Sequence, residues 1–558
     1  MVKVVVDPVT RIEGHLRIEM NASPVSTKTG SWYIVDYAKS AGMLFRGFEI
    51  FLKGKDPRDA FFFTQRICGV CPAAHAEASN QALDIAFDAV PLPPAATLIR
   101  NIIQCAYYIY DHMIHTYLLV GPELGILCNY PPMIPPVMGK EGISKLGLGS
   151  SYAKCIEMQR KANEITALWG GKFPHHASGY PGGVTVKPTT ERIAGTIARA
   201  VEIWEFVAKT MINDIKAIIN ANETVGEKVS EILGLNLRGL EDVGVGTGNF
   251  LSYGMLPDPE NYDDWLKVAY GEKGRRLSAV FHAGAWNGSF RDFDLKKIVE
   301  YTKYSWYYDY SGLRPDEEET VPEMNKPGAY SWIKAPRYDG KVYEVGPLAR
   351  MINTFGLSWR IPRVHPITGE DLGDFVYRVR NPKGSVLDRV VARVANALIC
   401  ANKLIEFAKM LVQYKDTSIC NYKDVPKSGE GFGLYEAPRG ALLHYLKIEN
   451  GVIARYQCVV PSTWNLSPRD DMGQPGPVET ALQCGTTWLP TMDVPTVCSA
   501  IWGEDYGNLL KSALAPLGLE KLNMEPSNGK SFNTTLALLV VRSFDPCIAC
   551  AVHVIDKT

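Results

Sequence analysis

The sequence predicts an α+β chain, mainly α: a core of long helices bundled together, a small N-terminal β unit, and irregular α/β lobes. Three observations carry this. In three long stretches apolar residues recur at steps of three and four, the period of a helix with one buried face. Near the N-terminus Leu16, Ile18 and Met20 alternate with Arg17 and Glu19, the period of a half-buried strand. Between 240 and 380 the texture turns to short aromatic-rich runs broken by Gly and Pro, which suits small sheets and loops. At 558 residues the chain exceeds the size at which one core keeps growing. We divide it into an N-terminal β unit (1–55), a first half of the helical core (56–240), a mixed lobe (241–380), a second half of the core (381–482), an insertion (483–530) and a terminal segment (531–558).

Taken in order, the alternating strand is followed by a polar turn at Lys28-Thr29-Gly30 and a strand from Trp32 to Val35. A helix is expected around Ala76 to Ala89. After Pro91, Pro93 and Pro94 comes a clearer one, with Leu98, Ile102, Ala106, Ile109, Met113 and Tyr117 on its stripe and Gly121-Pro122 as its stop. Asp111 and His115 sit one turn apart on it. A second long helix spans roughly 190 to 220, with Ile193, Ile197, Val201, Trp204, Ala208, Met211 and Ile215 on one face. A third begins at the capping pattern Ser385-x-x-Asp388 and runs through Leu387, Val391, Val394, Leu398, Ile405 and Ala408. Residues 483–530, with Cys484, Trp488, Cys498 and Trp502, read as an insertion that either covers a partner surface or fills a lobe. The chain has no internal repeat, so a solenoid is not expected.

Lys plus Arg total 59 and Asp plus Glu 60, a balance that gives no sign of nucleic-acid or membrane-surface binding. No apolar run approaches the ~20 residues a membrane span needs. The N-terminus lacks the layout of a secretory signal, so export is expected to need a partner's signal. The 12 cysteines in so long a chain do not make a disulfide scaffold. Cys105, Cys128, Cys155, Cys400, Cys420, Cys484 and Cys498 read as buried thiols.

The chemistry gathers at two Cys-x-x-Cys pairs near opposite ends, Cys68-Gly69-Val70-Cys71 and Cys547-Ile548-Ala549-Cys550. Four thiolates around one point select a transition metal over magnesium or calcium. Structural zinc is the commonest use of two such pairs, but zinc sites bring their pairs together within a few tens of residues, and here nearly the whole chain intervenes. A thioredoxin-like redox pair needs a strand-led βαβ setting that neither motif has. Each pair also carries a charged residue two positions before it (Arg66, Asp545) and a histidine after it (His75, His553). A closed zinc site has no need of these, whereas a reactive metal uses acids, bases and supporting donors.

The motifs Arg11-Ile12-Glu13-Gly14-His15, Arg66-x-Cys68-Gly69-x-Cys71-x-x-x-His75, Gly170-Gly171-Lys172-Phe173-Pro174-His175, Glu436-Ala437-Pro438-Arg439-Gly440 and Asp545-Pro546-Cys547-x-x-Cys550-x-x-His553 together resemble the large subunit of nickel–iron hydrogenases. They cover essentially the whole chain in that family's order. The resemblance implies nickel held by Cys68, Cys71, Cys547 and Cys550, with Cys71 and Cys550 bridging to an iron that carries carbon monoxide and cyanide. It implies reversible heterolysis of dihydrogen into a hydride and a proton, with Glu13 relaying protons from Cys547. Taken locally, Glu13 reads as a capping or salt-bridged residue beside Arg11. The resemblance places Arg439 over the metals, with Asp111 and Asp545 around it, Pro438 and Ser462 near the iron's diatomic ligands, and His75 behind the sulfurs. It further implies a magnesium (or Fe2+) site from Glu49, the carbonyl of Cys458 and His553. His112, His115, His175, His176 and His444 lie in or near these motifs with no ligand role assigned.

The chain offers no ferredoxin-type cysteine run, so the resemblance implies an obligate iron–sulfur small subunit to carry electrons away. It also implies a maturation protease that removes a C-terminal extension after His553. The five residues Val554–Thr558 are a shorter tail than usual, left by an unprocessed chain or kept by this member. The motif wording is similar to that of membrane-associated uptake enzymes exported with a partner, with a membrane cytochrome reached through that partner; a cytoplasmic setting stays open. Three rivals remain at this point: a hydrogen sensor of low turnover, a zinc-stapled interaction protein, and a respiratory quinone-reductase subunit of related fold. Relatives of the last kind lack the four cysteines.

Overall fold

The computed structural model describes residues 1–25, 32–135, 150–233, 236–267, 279–483, 485, 487–514 and 523–551. The turn expected at Lys28-Thr29-Gly30, Cys484, His553 and the tail after it lie outside these residues.

The alternation at the N-terminus forms as the sequence predicts. β1 (Val2–Val6), β2 (Leu16–Val25) and β3 (Trp32–Gly42) pair antiparallel, with Val4 opposite Met20 and Ile18 opposite Ser40. Leu16, Ile18 and Met20 are buried while Arg17 and Glu19 are only partly so. The fourth strand of this sheet comes from the far end of the chain: Trp488–Pro490, inside 483–530, pairs with β3.

α1 (Pro72–Ala86) and α2 (Pro94–Ile114) open the helical core. Pro at the first helical turn suits both, since that N–H has no partner in a helix anyway. The stripe of α2 continues through a wider π turn at His115–Leu119 before a new helix starts at Gly121. α3 (Ser150–Gly170), α4 (Thr190–Glu205) and α5 (Ile212–Leu233) follow. The mixed lobe holds a four-stranded sheet whose long members are β4 (Asn249–Pro257) and β5 (Ala279–Asn287). α6 (Val386–Met410) is capped as expected: the Ser385 hydroxyl accepts from Asp388 N–H, and the Asp388 carboxylate accepts from Arg380 N–H, Asn381 N–H and the Tyr377 hydroxyl. α6 packs on α2 and α4, and α3 packs on α2 and α4, so the bundle expected from the stripes is present.

A three-stranded antiparallel sheet then crosses the core: β6 (Ser428–Ala437), β7 (Gly440–Glu449) and β8 (Val452–Val459). α1 lies directly on β6 through small residues on both sides. A Cβ added at Gly429, Gly431 or Gly433 would stand 2.2, 2.1 and 1.7 Å from the carbonyl oxygens of Ala86, Ala82 and Ala78 respectively. Glycine is what permits this backbone-to-backbone approach. The chain closes with α7 (Pro461–Asn465), α8 (Thr535–Ser543) and the short α9 (Ile548–Ala551). No helix among the described residues is long and apolar enough to cross a membrane.

Candidate metal centre

The two cysteine pairs meet in the interior. Their four Sγ atoms all lie within 4.8 Å of one another. Cys68 is 3.2 Å from Cys547, Cys71 is 3.1 Å from Cys550, and Cys547 is 2.8 Å from Cys550, with no disulfide among them. Local structure aims them. Cys71 is the N-cap of α1, and Cys68 Sγ accepts from the Val70 and Cys71 N–H groups at 3.2 and 3.4 Å. A helix start favours a thiolate over a thiol. Burial works against a charge on Cys68, yet hydrogen bonds from Cys547, Cys550 and Cys71 and the Arg439 charge hold its thiol well below the ordinary value. Burial pushes Cys547 and Cys550 well above theirs. A crowded, buried, unoxidised four-thiol set of this kind fits a soft transition metal.

The terminal pair is held by the N-terminal loop. Glu13 N–H donates to Pro546 O at 3.2 Å and Ile548 N–H donates to Glu13 O at 2.8 Å, a parallel bridge between sequence ends. Gly14, at φ +83°, has no room for a side chain: a Cβ there would stand 2.8 Å from Ile548 Cβ. Glu13 Oε2 accepts from Ala549 N–H at 2.9 Å and from the Cys547 thiol at 3.2 Å. Burial, then the Cys68 charge, raises the Glu13 pKa above the usual carboxylate range. Arg11 does not pair with it. Arg11 turns instead to Glu123, which also takes Arg542 at 2.8 Å, and Arg542 holds Thr10 O at 2.9 Å. Ser462, on α7, steadies the other side by accepting from Cys547 N–H at 2.9 Å.

Beside the sulfurs lies a buried lattice of alternating charges. Arg439 donates to Asp111 Oδ2 at 2.9 Å and pairs with Asp545 Oδ1 at 2.9 Å. Its Nε has no hydrogen-bond partner among the described residues. Burial opposes the Arg439 charge, but the two aspartates keep its pKa well above the ordinary value. Burial lifts Asp111 to about 7 despite Arg439, whereas Arg439 and Arg393 hold Asp545 below its usual range against the effect of burial. Pro438 contributes its carbonyl, which accepts from Arg350 at 2.9 Å and Arg393 at 3.5 Å. Arg393 also reaches Asp545 at 3.1 Å and His112 Nδ1 at 3.4 Å. Asp545 sits at φ +57°, a left-handed conformation that aspartate tolerates better than most residues.

Sequence reasoning missed Arg350 and Arg393, since arginine reads as surface. The signal was there for Arg393: with Arg389 it puts two arginines four apart on a helix whose other faces are Val, Ala and Leu. Behind the cluster His75 Nε2 stands 3.4 Å from Cys550 Sγ. Two of the residues expected at the second cation site lie together. Glu49 and Cys458 do meet, with Glu49 Oε1 accepting from Cys458 N–H at 2.8 Å. Around them stand Thr320, Gln457, Lys334, Glu300 and Glu318, all buried, which the sequence did not indicate. His553 lies outside the described residues.

A family model described as nickel-dependent hydrogenase matches residues 46–123 and 140–494, and one described as HoxL-like matches residues 3–22. The periplasmic [NiFeSe] hydrogenase large subunit of Desulfomicrobium baculatum is 33% identical over 580 residues, covering 99% of this chain and 95% of that one. The quinone-reactive Ni/Fe-hydrogenase large chain of Wolinella succinogenes is 30% identical over 640 residues, covering 99% and 96%. Among solved structures, the reduced Ni-Fe-Se hydrogenase from D. vulgaris Hildenborough matches with a TM-score of 0.74 at 31% identity, over 99% of each chain.

Proposed function

This chain belongs to the nickel-dependent hydrogenase family as a large subunit, and on that premise we propose how its residues divide the work of splitting dihydrogen. It is a hydrogenase, the catalytic subunit that takes electrons from H2 in the uptake direction and passes them to an iron–sulfur small subunit. The observation that carries this reading is the convergence of Cys68, Cys71, Cys547 and Cys550 with a proton-holding carboxylate and a fixed guanidinium at one buried point.

The four thiolates would hold nickel, with Cys71 and Cys550 shared with an iron that carries carbon monoxide and cyanide. When bound, that pair supplies an open Lewis-acidic position at which H2 is cleaved heterolytically. The chain does the rest. Cys547 Sγ lies in hydrogen-bond reach of Glu13 Oε2, so a proton on the sulfur has a base waiting at 3.2 Å. The raised pKa brings Glu13 closer to neutrality, where it can both accept and release that proton. Ala549 N–H fixes the receiving oxygen. Arg439, clamped by Asp111 and Asp545, cannot swing away or lose its charge, and its buried Nε–H, which has no partner among the described residues, is a spare donor for a small polarisable substrate. Pro438 and Ser462 shape the iron side, and His75 supports Cys550. Glu49, the Cys458 carbonyl and His553 would take magnesium or Fe2+ and pin the terminal segment.

Further parts of the reading are a maturation protease acting after His553, a membrane cytochrome reached through the small subunit, and a periplasmic or membrane-associated setting. The test is elemental analysis of the purified two-subunit complex together with hydrogen-dependent reduction of an artificial acceptor. About one nickel per large chain and turnover are expected; zinc in place of nickel, with no turnover, overturns the reading.

A further inference from the structure

Behind Cys550 four side chains form a continuous line. His75 Nε2 is 3.4 Å from Cys550 Sγ, and His75 Nδ1 is 3.0 Å from His444 Nε2. His444 Nδ1 is 2.7 Å from the Tyr456 hydroxyl oxygen, which lies 3.2 Å from Ser79 Oγ. None of the four residues is more than 1% exposed. His75 and Ser79 lie one turn apart on α1, His444 is on β7 and Tyr456 on β8. The line exists because α1 sits flush against the β6 glycines, which brings its side chains level with the neighbouring strands.

Such a line has a direction. A buried imidazole is cheapest neutral, with one N–H and one lone pair, so whatever its outer nitrogen does fixes what its inner nitrogen presents. Tyr456 has one hydroxyl proton and two takers, and burial keeps that proton in place by raising the phenol pKa well above its ordinary value. With the proton on Ser79, His444 must donate to Tyr456, His75 must donate to His444, and His75 shows the sulfur a lone pair. That arrangement suits a Cys550 thiol. With the proton on His444 Nδ1, the shorter of the two contacts, every bond reverses and His75 presents an N–H to the sulfur. That arrangement suits a thiolate, which has no proton to give.

We propose that Tyr456 is a positioning residue whose single proton sets the direction of the His444–His75 pair, so that the line donates a hydrogen bond to the Cys550 sulfur once that sulfur is a metal-bound thiolate. The proposal rests on the nickel–iron reading of the centre. A hydrogen bond on a ligand thiolate withdraws charge and makes the centre easier to reduce. Ser79 is then the rival acceptor, and removing it should favour the donating direction.

The test is a redox titration of the nickel electron paramagnetic resonance signal in the purified two-subunit holoenzyme, with nickel content measured for each variant. A nickel signal in the unaltered protein checks the metal reading; differences between variants check the line. Tyr456→Phe should move the midpoint to lower potential, and Ser79→Ala should not lower it. Should Tyr456→Phe assemble poorly, His444→Gln and His444→Leu give the same contrast. Glutamine can still donate toward His75 and should hold the midpoint, whereas leucine cannot and should lower it. An unmoved midpoint in Tyr456→Phe, an equal fall in Tyr456→Phe and Ser79→Ala, or equal midpoints for the two His444 variants would each overturn the proposal.

Discussion

A single methyl group placed outside the ligand set should empty the centre. In Gly433→Ala the new Cβ would stand 1.7 Å from Ala78 O. Ordinary contact begins near 3.4 Å, so α1 and β6 must separate by roughly 1.5 Å, and neither atom belongs to a side chain that could rotate away. Overpacking of this sort costs about 1–3 kcal/mol, and a backbone clash lies at the upper end. α1 carries Cys71 at its N-cap and His75 in its first turn, so a retreat of that size moves a ligand sulfur well beyond the tolerance of roughly 0.2 Å that metal–ligand distances allow. The assay is nickel per chain and the thermal midpoint of the purified complex. The control is Gly195→Ala, inside α4, where the nearest atoms to an added Cβ lie at 3.5 and 3.6 Å; helix propensity should make that change neutral or stabilising by up to about 1 kcal/mol. A Gly433→Ala protein that keeps its nickel and its midpoint would refute the packing argument.

Two further outcomes follow from the titrating groups. Glu13→Gln keeps the shape but cannot take a proton from Cys547, so hydrogen–deuterium exchange in H2 should fall by 100-fold or more, within the usual span for a lost general base, while nickel content stays level. Acid should weaken the fold through its buried histidines: burial lowers His112 well below the ordinary imidazole value, His115 to about 3 and His176 to about 4. Between about pH 6.5 and 4 the unfolded chain takes up protons that the folded chain refuses, so this stability is full above pH 6.5 and is lost on acidification. Each histidine contributes about 1.4 kcal/mol per pH unit in that window. Denaturant midpoints measured across it should show the slope, and His176→Gln should flatten it by about one proton.

The long helices were legible because their stripes are made of Leu, Ile, Val and Met, whose spacing survives without any knowledge of partners. β6 was not, for a physical reason. The positions it turns to α1 are Gly429, Gly431 and Gly433, which supply no apolar signal although they are what lets α1 approach. The four cysteines, Glu13 and Arg439 could be found from motif alone. The arginines beneath Pro438 were not, because what accepts their charge arrives from distant parts of the chain: Asp111 and Asp545 for Arg393, and Glu436 for Arg350. Residues 483–530 read as an insertion. Their strand Trp488–Pro490 joins the first sheet of the chain, a pairing that no local pattern announces.

The bridge between Glu13 and residues 546–548 has a consequence for biosynthesis. A ribosome will have released almost the entire polypeptide before the second half of the ligand set exists, so an abortive product ending anywhere short of Cys547 owns two thiols and an unmatched loop. Incorporation of the inorganic cargo therefore waits on the terminal cysteine pair: only chains translated through Cys550 can seal the seam and complete the ligand set.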